Sequence, residues 1–363
     1  MAKKAFMDKK AQQFMEEYLN NVSPTSHEWT GQKIWLKYLK PYVDECRLDN
    51  YGTAYGIINP KAKYKVVLEA HADEISWMVK YVSKEGFIYV TRNGGSDHMI
   101  APSKRVNIHT PDGVVKGVFG WPAIHMRNRA NEEKPSVNNL FIDVGCHSKE
   151  EVLDLGIHIG AQITYDEGFM EMNNRYYAGR ALDNRMGGFM IAQVARMIHE
   201  NKDKIPFGLY FVNSVMEEVG LQGARMIVDT IRPNVAIITD VAHDTTTPMI
   251  EVKEEGEFKC GDGPLLSYAP AVHNNLLKLI MDAAKTNKIP YQVEAISRAT
   301  GTDTDAFAFS VGGVVSALVS LPLRYMHTTV EMVHKDDVEN VSKLMYQSVK
   351  KIKNNQDFRY FKP

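Results

Sequence analysis

Two histidines, three aspartates and two glutamates stand in short scattered segments, each where an apolar run gives way to polar residues. They are His71 and Asp73 in LEAHADE, Asp183 in GRALDNR, Glu217 and Glu218 in VMEEVG, Asp240 in IITDVAHD, and His327 in YMHTTVE. Imidazole and carboxylate groups ligate divalent cations. A set this rich in carboxylates, with one glutamate to spare, provides for two such ions and a general base, which together can split an amide bond with water. The three cysteines, Cys46, Cys146 and Cys260, lie far apart with no C-x-x-C pair, so neither a disulfide framework nor a thiolate zinc site is supported. A carboxylate-rich site of this kind keeps positions open for water, as catalytic sites do.

Each fragment alone admits a plainer role. A histidine such as His71 is often a satisfied core residue, Asp183 has the position of a helix cap, and Glu217-Glu218 suits the acidic start of a helix. Their joint occurrence carries the argument, because five segments each deliver a ligand-type residue at a strand end or a helix mouth. In H-x-D, residues two apart on a strand face the same side, so Asp73 can receive the second N–H of a ligating imidazole. Adjacent residues point different ways, so Glu217 and Glu218 must have different tasks. Two buried carboxylates in sequence also need a cation nearby. The pair His243-Asp244 follows Asp240 closely enough to bear on metal or substrate preference.

Positioning these groups requires a scaffold. Strand-like runs at 64–70, 208–215, 234–240, 291–296 and 314–321 alternate with helical stretches near 184–200, 220–231, 271–287 and 335–352. That order predicts an α/β fold, a mixed and largely parallel sheet sandwiched by helices, with the ligands at the carboxyl ends of strands. The first fifty residues read as helical, and Thr25-Ser26-His27-Glu28 has the pattern of a capping box opening a second helix. Between Glu74 and Tyr165 the texture changes to short β pieces, with Pro111-Asp112-Gly113 as a turn and Ser148/Glu151 capping a short helix that stops at Gly156. The expected organisation is a catalytic domain from residues 1–73 and 166–363, with an inserted β-rich domain at 74–165 that supplies no catalytic residue.

Forty-three basic and forty-four acidic residues leave a net charge of −1, which gives no reason to expect nucleic acid or a membrane as partner. The N-terminus lacks an apolar secretion core, and the longest apolar stretch, Val311 to Leu323, is interrupted and too short to span a bilayer. A soluble protein of the reducing cytoplasm is expected.

Taken together, the segments resemble the cytoplasmic co-catalytic aminopeptidases of metallopeptidase family forty-two. That family includes tetrahedral dodecameric and glutamyl aminopeptidases and members labelled endoglucanases. The resemblance rests on His71-x-Asp73-Glu74, on Arg180 to Arg185, on V-x-E-E-V-G-x-x-G-A from Val215 to Ala224, and on Asp240-Val241. Gly301-Thr302-Asp303 and Met326-His327 followed by Val330-Glu331-Met332-Val333 extend it over nearly the whole chain. It implies a fold of the zinc-exopeptidase type and two divalent ions per subunit, zinc or cobalt. One ion would be held by His71 and Asp240 and the other by Glu218 and His327, with Asp183 bridging. Glu217 would be the general base acting on a metal-bridging water, and Asp73 would orient His71. A cis peptide bond between Asp183 and Asn184 is also implied, as are short peptides as substrates and self-assembly into a dodecamer or dimer. A glycosidase, suggested by the endoglucanase label and the paired glutamates, would leave His71, Asp183, Asp240 and His327 idle. An inactive metal-binding scaffold would leave Glu217 without a task. Asp303 is a candidate for recognising a substrate amino group, or else a helix cap.

Overall fold

The computed structural model describes residues 5–128 and 130–362. Val66, Val67 and Leu68 are fully buried in the strand Lys65–His71, whose apolar run lacks polar alternation because both faces of the sheet are covered. This strand lies near the middle of a twelve-stranded sheet. Gly208–Ser214 and Val235–Ile238 flank it in parallel, and Val315–Arg324 pairs in parallel with Val235–Ile238. Four carboxyl ends therefore meet on one edge.

The sheet is mixed, and outside this centre much of the pairing is antiparallel, which corrects the expectation of a largely parallel sheet. Ala54–Ile58 and Glu45–Leu48 extend one side antiparallel, and Glu331–His334, Tyr176–Gly179 and Met170–Met172 extend the other. Several of these outer strands are joined by short connections, which only antiparallel pairing permits, whereas the parallel centre needs crossovers such as the helix Gln222–Ile231. A side arm matters later: Leu265–Tyr268 pairs antiparallel with Val315–Arg324 and parallel with Gln292–Ala295.

The helix Leu182–Asn201 lies against Lys65–His71 at the predicted glycines. A Cβ on Gly187 would fall 2.9 Å from the Ala70 Cβ, and one on Gly188 would fall 2.7 Å from Asn213 Oδ1, so neither position has room for a side chain. Lys9–Asn20 is helical as expected, capped by Asp8 and burying Ala11, Phe14, Met15, Tyr18 and Leu19 at helical spacing. The second helix, Trp29–Leu39, has no side-chain cap, so the Thr25 capping box does not form. Thr25 Oγ1 instead donates to Asp73 Oδ2 at 2.9 Å, and Glu28 Oε1 accepts from the backbone N–H of Ser26 and of Met216. Thr25 and Glu28 thus each bond a partner across the fold, Asp73 and Met216, in place of the helix end.

Six strands between Ser76 and Tyr165 close into a barrel with its own apolar core, which includes Trp77, Phe119, Ile142 and Ile163. Arg105–Thr110 and Gly113–Phe119 form the expected hairpin across Pro111 and Asp112, with Gly113 at a φ of 138°. Ser148 caps Lys149–Asp154 by accepting from Glu151 N, while the Glu151 carboxylate accepts from His147 N rather than closing the box on Ser148. Among the described residues no helix is long and apolar enough to cross a membrane.

Candidate metal centre

His71 is the last residue of its strand and is almost fully buried. Its Nε2 lies 3.2 Å from Asp183 Oδ1, 3.8 Å from Asp240 Oδ1 and 3.9 Å from Glu217 Oε2. His327 Nε2 stands 3.4 Å from the other Asp183 oxygen and 3.4 Å from Glu218 Oε1. Asp183 thus faces both histidines with one oxygen each. Three groups of ligand atoms fall within 4.8 Å: His71, Asp183 and Asp240; Asp183, Glu218 and His327; and His71, Glu217 and Glu218. Six of the seven predicted residues converge as possible ligands, and the seventh, Asp73, lies directly behind them.

Asp73 Oδ1 is 3.4 Å from His71 Nδ1 and accepts from Glu217 N, while Oδ2 accepts from Glu218 N and Thr25 Oγ1. One fully buried carboxylate therefore ties the imidazole to the loop bearing both glutamates. That loop turns at Met216, at a φ of 57°, a conformation that a non-glycine side chain disfavours, and the Glu28 carboxylate takes the Met216 N–H. His327 likewise sits at a φ of 60°, held through its N–H by Glu331 Oε1. Asp183 opens its helix with extended backbone and is joined to Asn184 by a cis peptide bond, as the resemblance implied. Its N–H donates to Glu331 Oε2, and Asn184 Nδ2 donates to Thr239 O.

Charge fits a cation better than protons here. Burial pushes Asp240 up to about 8, and the charge of Asp183 adds to this. Burial likewise raises Glu218, and raises Glu217 well above its ordinary value. Burial opposes protonation of the histidines, yet His327 is raised to about 11 by its bonds to Asp183 and Glu218, and His71 is raised by Glu217, Asp183 and Asp73. Asp183, despite burial, is held below the usual carboxylate range by its bonds to His327 and His71. Buried carboxylates gathered around two imidazoles suit a divalent ion, whose charge would replace the protons that burial otherwise favours. His71, Asp240, Asp183, Glu218 and His327 offer ligand atoms close enough together to hold divalent metal.

The family model described as M42 glutamyl aminopeptidase matches residues 52–344. The chain belongs to peptidase family M42. It is a metal-dependent aminopeptidase, a hydrolase. The lysyl aminopeptidase of Pyrococcus furiosus is 30% identical, over 94% of this chain and 97% of its own. A TET aminopeptidase from the marine sediment archaeon Thaumarchaeota archaeon SCGC AB-539-E09 superposes with a TM-score of 0.89 at 27% identity, covering 94% of this chain and 96% of the other. Pyrococcus horikoshii TET1, a peptidase that can assemble into a tetrahedron or a large octahedral shell, shares the fold with a TM-score of 0.81 at 22% identity, covering 93% and 98%.

Several supporting residues of this M42 chain escaped the sequence reading. Glu331 was part of a motif without a task, although an acid four residues after a ligand histidine was the available signal. Gly94 and Gly95, in the barrel segment, press on the site: a Cβ on Gly95 would fall 2.5 Å from His327 Nδ1, and one on Gly94 would fall 3.0 Å from Glu218 Cβ. The pair Gly-Gly in RNGGSD was its only trace. Asp303 does not line the cavity over the metal cluster; it is buried, accepting from Ser214 Oγ at 2.7 Å, on a helix capped by Thr302. Of His243 and Asp244, the first lines the cavity, while the second is buried structure, bonded to Cys260 N and Arg324 Nε.

Proposed function

We propose that this aminopeptidase removes residues one at a time from the free amino end of short peptides, with two divalent ions and Glu217 as general base. The observation that carries the reading is Asp183, whose two oxygens face two separate histidine-bearing groups. Bound there, the ions would polarise the scissile carbonyl and make water a stronger nucleophile near neutral pH. Glu217 stands beside His71, is buried enough for its proton affinity to rise toward that of a working base, and would move a proton from water to the departing amine. Asp73 would fix the His71 ring and hold both glutamate backbones in register.

The site lies in a cavity of about 1210 Å³, room for a few residues rather than for a folded chain. The segment 74–165 would be an inserted domain serving self-assembly, since its barrel exposes Val114, Val118, Ile124 and Met126. A cytoplasmic setting agrees with three unpaired cysteines. The glycosidase reading leaves both histidines unused.

The test compares one peptide with a free and with an acetylated amino end, using chain stripped by chelator and reloaded with zinc or cobalt. A free α-amine must pair within a buried acidic site, so an acetyl group removes that pairing and adds bulk. Sequential release from the free peptide alone is expected, and comparable internal cleavage of the blocked one would refute the reading.

A further inference from the structure

The family's description names glutamate and its Pyrococcus furiosus relative names lysine, two side chains of opposite charge, and the cavity of this chain distinguishes them. Beyond the metal cluster, alternate residues of two strands face it: Leu318 and Ser320 on Val315–Arg324, and Glu294 with Ile296 at the end of Gln292–Ala295. The register sets their order. Ile238 lies opposite Leu318, Leu266 opposite Val319, and Ser267 opposite Glu294. Glu294 thus shares a row with Leu318 and Ile238, three strand steps across and two residues along from Asp240, roughly 16 Å between backbones at about 4.8 Å per step and about 3.3 Å per residue. Two acidic side chains reaching inward and one extended side chain between them fill that span.

Glu294 is half-buried, and its Oε1 is fixed by the Ser267 hydroxyl, leaving the other oxygen to a ligand. The approach is apolar, with Val241, Ile250, Phe258 and Leu318 among its walls. Glu251, Glu254 and Glu255 stand exposed at the same cavity. Among the described residues the one arginine at this cavity, Arg225, is exposed and belongs to the helix Gln222–Ile231, not to the wall that carries Glu294.

An apolar channel ending in a fixed carboxylate suits a long aliphatic stem tipped with a positive charge. Resting on the aminopeptidase reading above, we infer that the chain selects peptides whose N-terminal residue is lysine or arginine, with Glu294 as the specificity-determining residue. Burial raises the Glu294 carboxyl and its hydrogen bond from Ser267 opposes this; a substrate cation would act in the same sense as that bond.

The experiment measures kcat/KM for lysyl, arginyl, leucyl and glutamyl p-nitroanilides with the metal-reloaded full chain, its Glu294→Gln variant and its Glu294→Lys variant. Gln retains the acceptor for Ser267, so the fold is kept while the charge is lost. The parent should favour the two basic substrates over leucyl. The Lys:Leu ratio should fall about tenfold or more in Glu294→Gln, the scale of losing a hydrogen bond to a charged group. In Glu294→Lys the Glu:Leu ratio should rise. A parent that prefers leucyl or glutamyl substrate, or a Lys:Leu ratio unmoved by Glu294→Gln, would overturn the specificity while leaving the aminopeptidase reading intact. Release from none of the four would overturn both.

Discussion

Asp183 can face two histidines only because groups that touch no ion fix its surroundings, and these groups make the clearest single-residue tests. Glu331 takes the N–H of Asp183 with one oxygen and that of His327 with the other. Glu331→Gln leaves one of these buried donors facing an NH2 group, so stability should fall by about 1–3 kcal/mol in denaturant titrations. Metal affinity should fall by about 10-fold or more, as for other partners that orient ligands. Gly95→Ala acts by contact alone: the added methyl would sit 2.5 Å from His327 Nδ1, so the ring must move. Competition against a chromogenic chelator should show one ion of the pair weakened and the other retained. Equal weakening of both would mean that Gly95 does not act through His327.

At the scale of elements, the helix start at Trp29 shows how tertiary contacts override a local pattern. Thr25 and Glu28 left their capping roles for Asp73 and Met216, and burial beside Asp73 pushes the Glu28 carboxyl up to about 8. A carboxyl whose folded value is raised favours the folded state fully below its unfolded value, and loses that contribution as pH rises through the folded value. Between about pH 4.5 and 8 this group should therefore make stability decline with rising pH. Glu28→Gln keeps both bonds, which fall on the single oxygen Oε1. Denaturation midpoints across that range should show a flatter pH dependence for the variant. The same contrast governs what could be read in advance. Apolar runs such as Val66 to Leu68 marked the central strands, and most of the candidate residues sit where such a run ends, so the sheet edge and the convergence of the candidates there were legible. The tasks of Glu331, Gly95 and Glu28 were not, because each joins a distant partner, Asp183, His327 and Met216 respectively, and no local pattern encodes a contact across the fold. The outer antiparallel strands were missed for a related reason: segments as short as Met170–Met172 carry too little periodicity to register.

For the whole molecule, ion binding and folding are one equilibrium, since a ligand set spread from His71 to His327 exists only when the sheet is assembled. At free ion one hundred times the dissociation constant, each site should add about 2.7 kcal/mol of stability. Thermal unfolding should accordingly shift upward with zinc or cobalt and downward with chelator. The exposed apolar residues of the barrel lead to a second expectation at this scale, a particle several times the 41.0 kDa chain mass in light scattering. A monomer in metal-replete buffer would remove the assembly proposal without touching the chemistry. The chemistry itself rests on the division of labour between two neighbouring glutamates. The decisive measurement is metal content together with kcat for Glu217→Gln and Glu218→Ala. Glu217→Gln should retain the parent's metal while kcat falls about 100-fold or more, the scale of a lost general base, and Glu218→Ala should lose an ion. Equal metal loss in the two variants, or parental turnover in Glu217→Gln, would contradict the account.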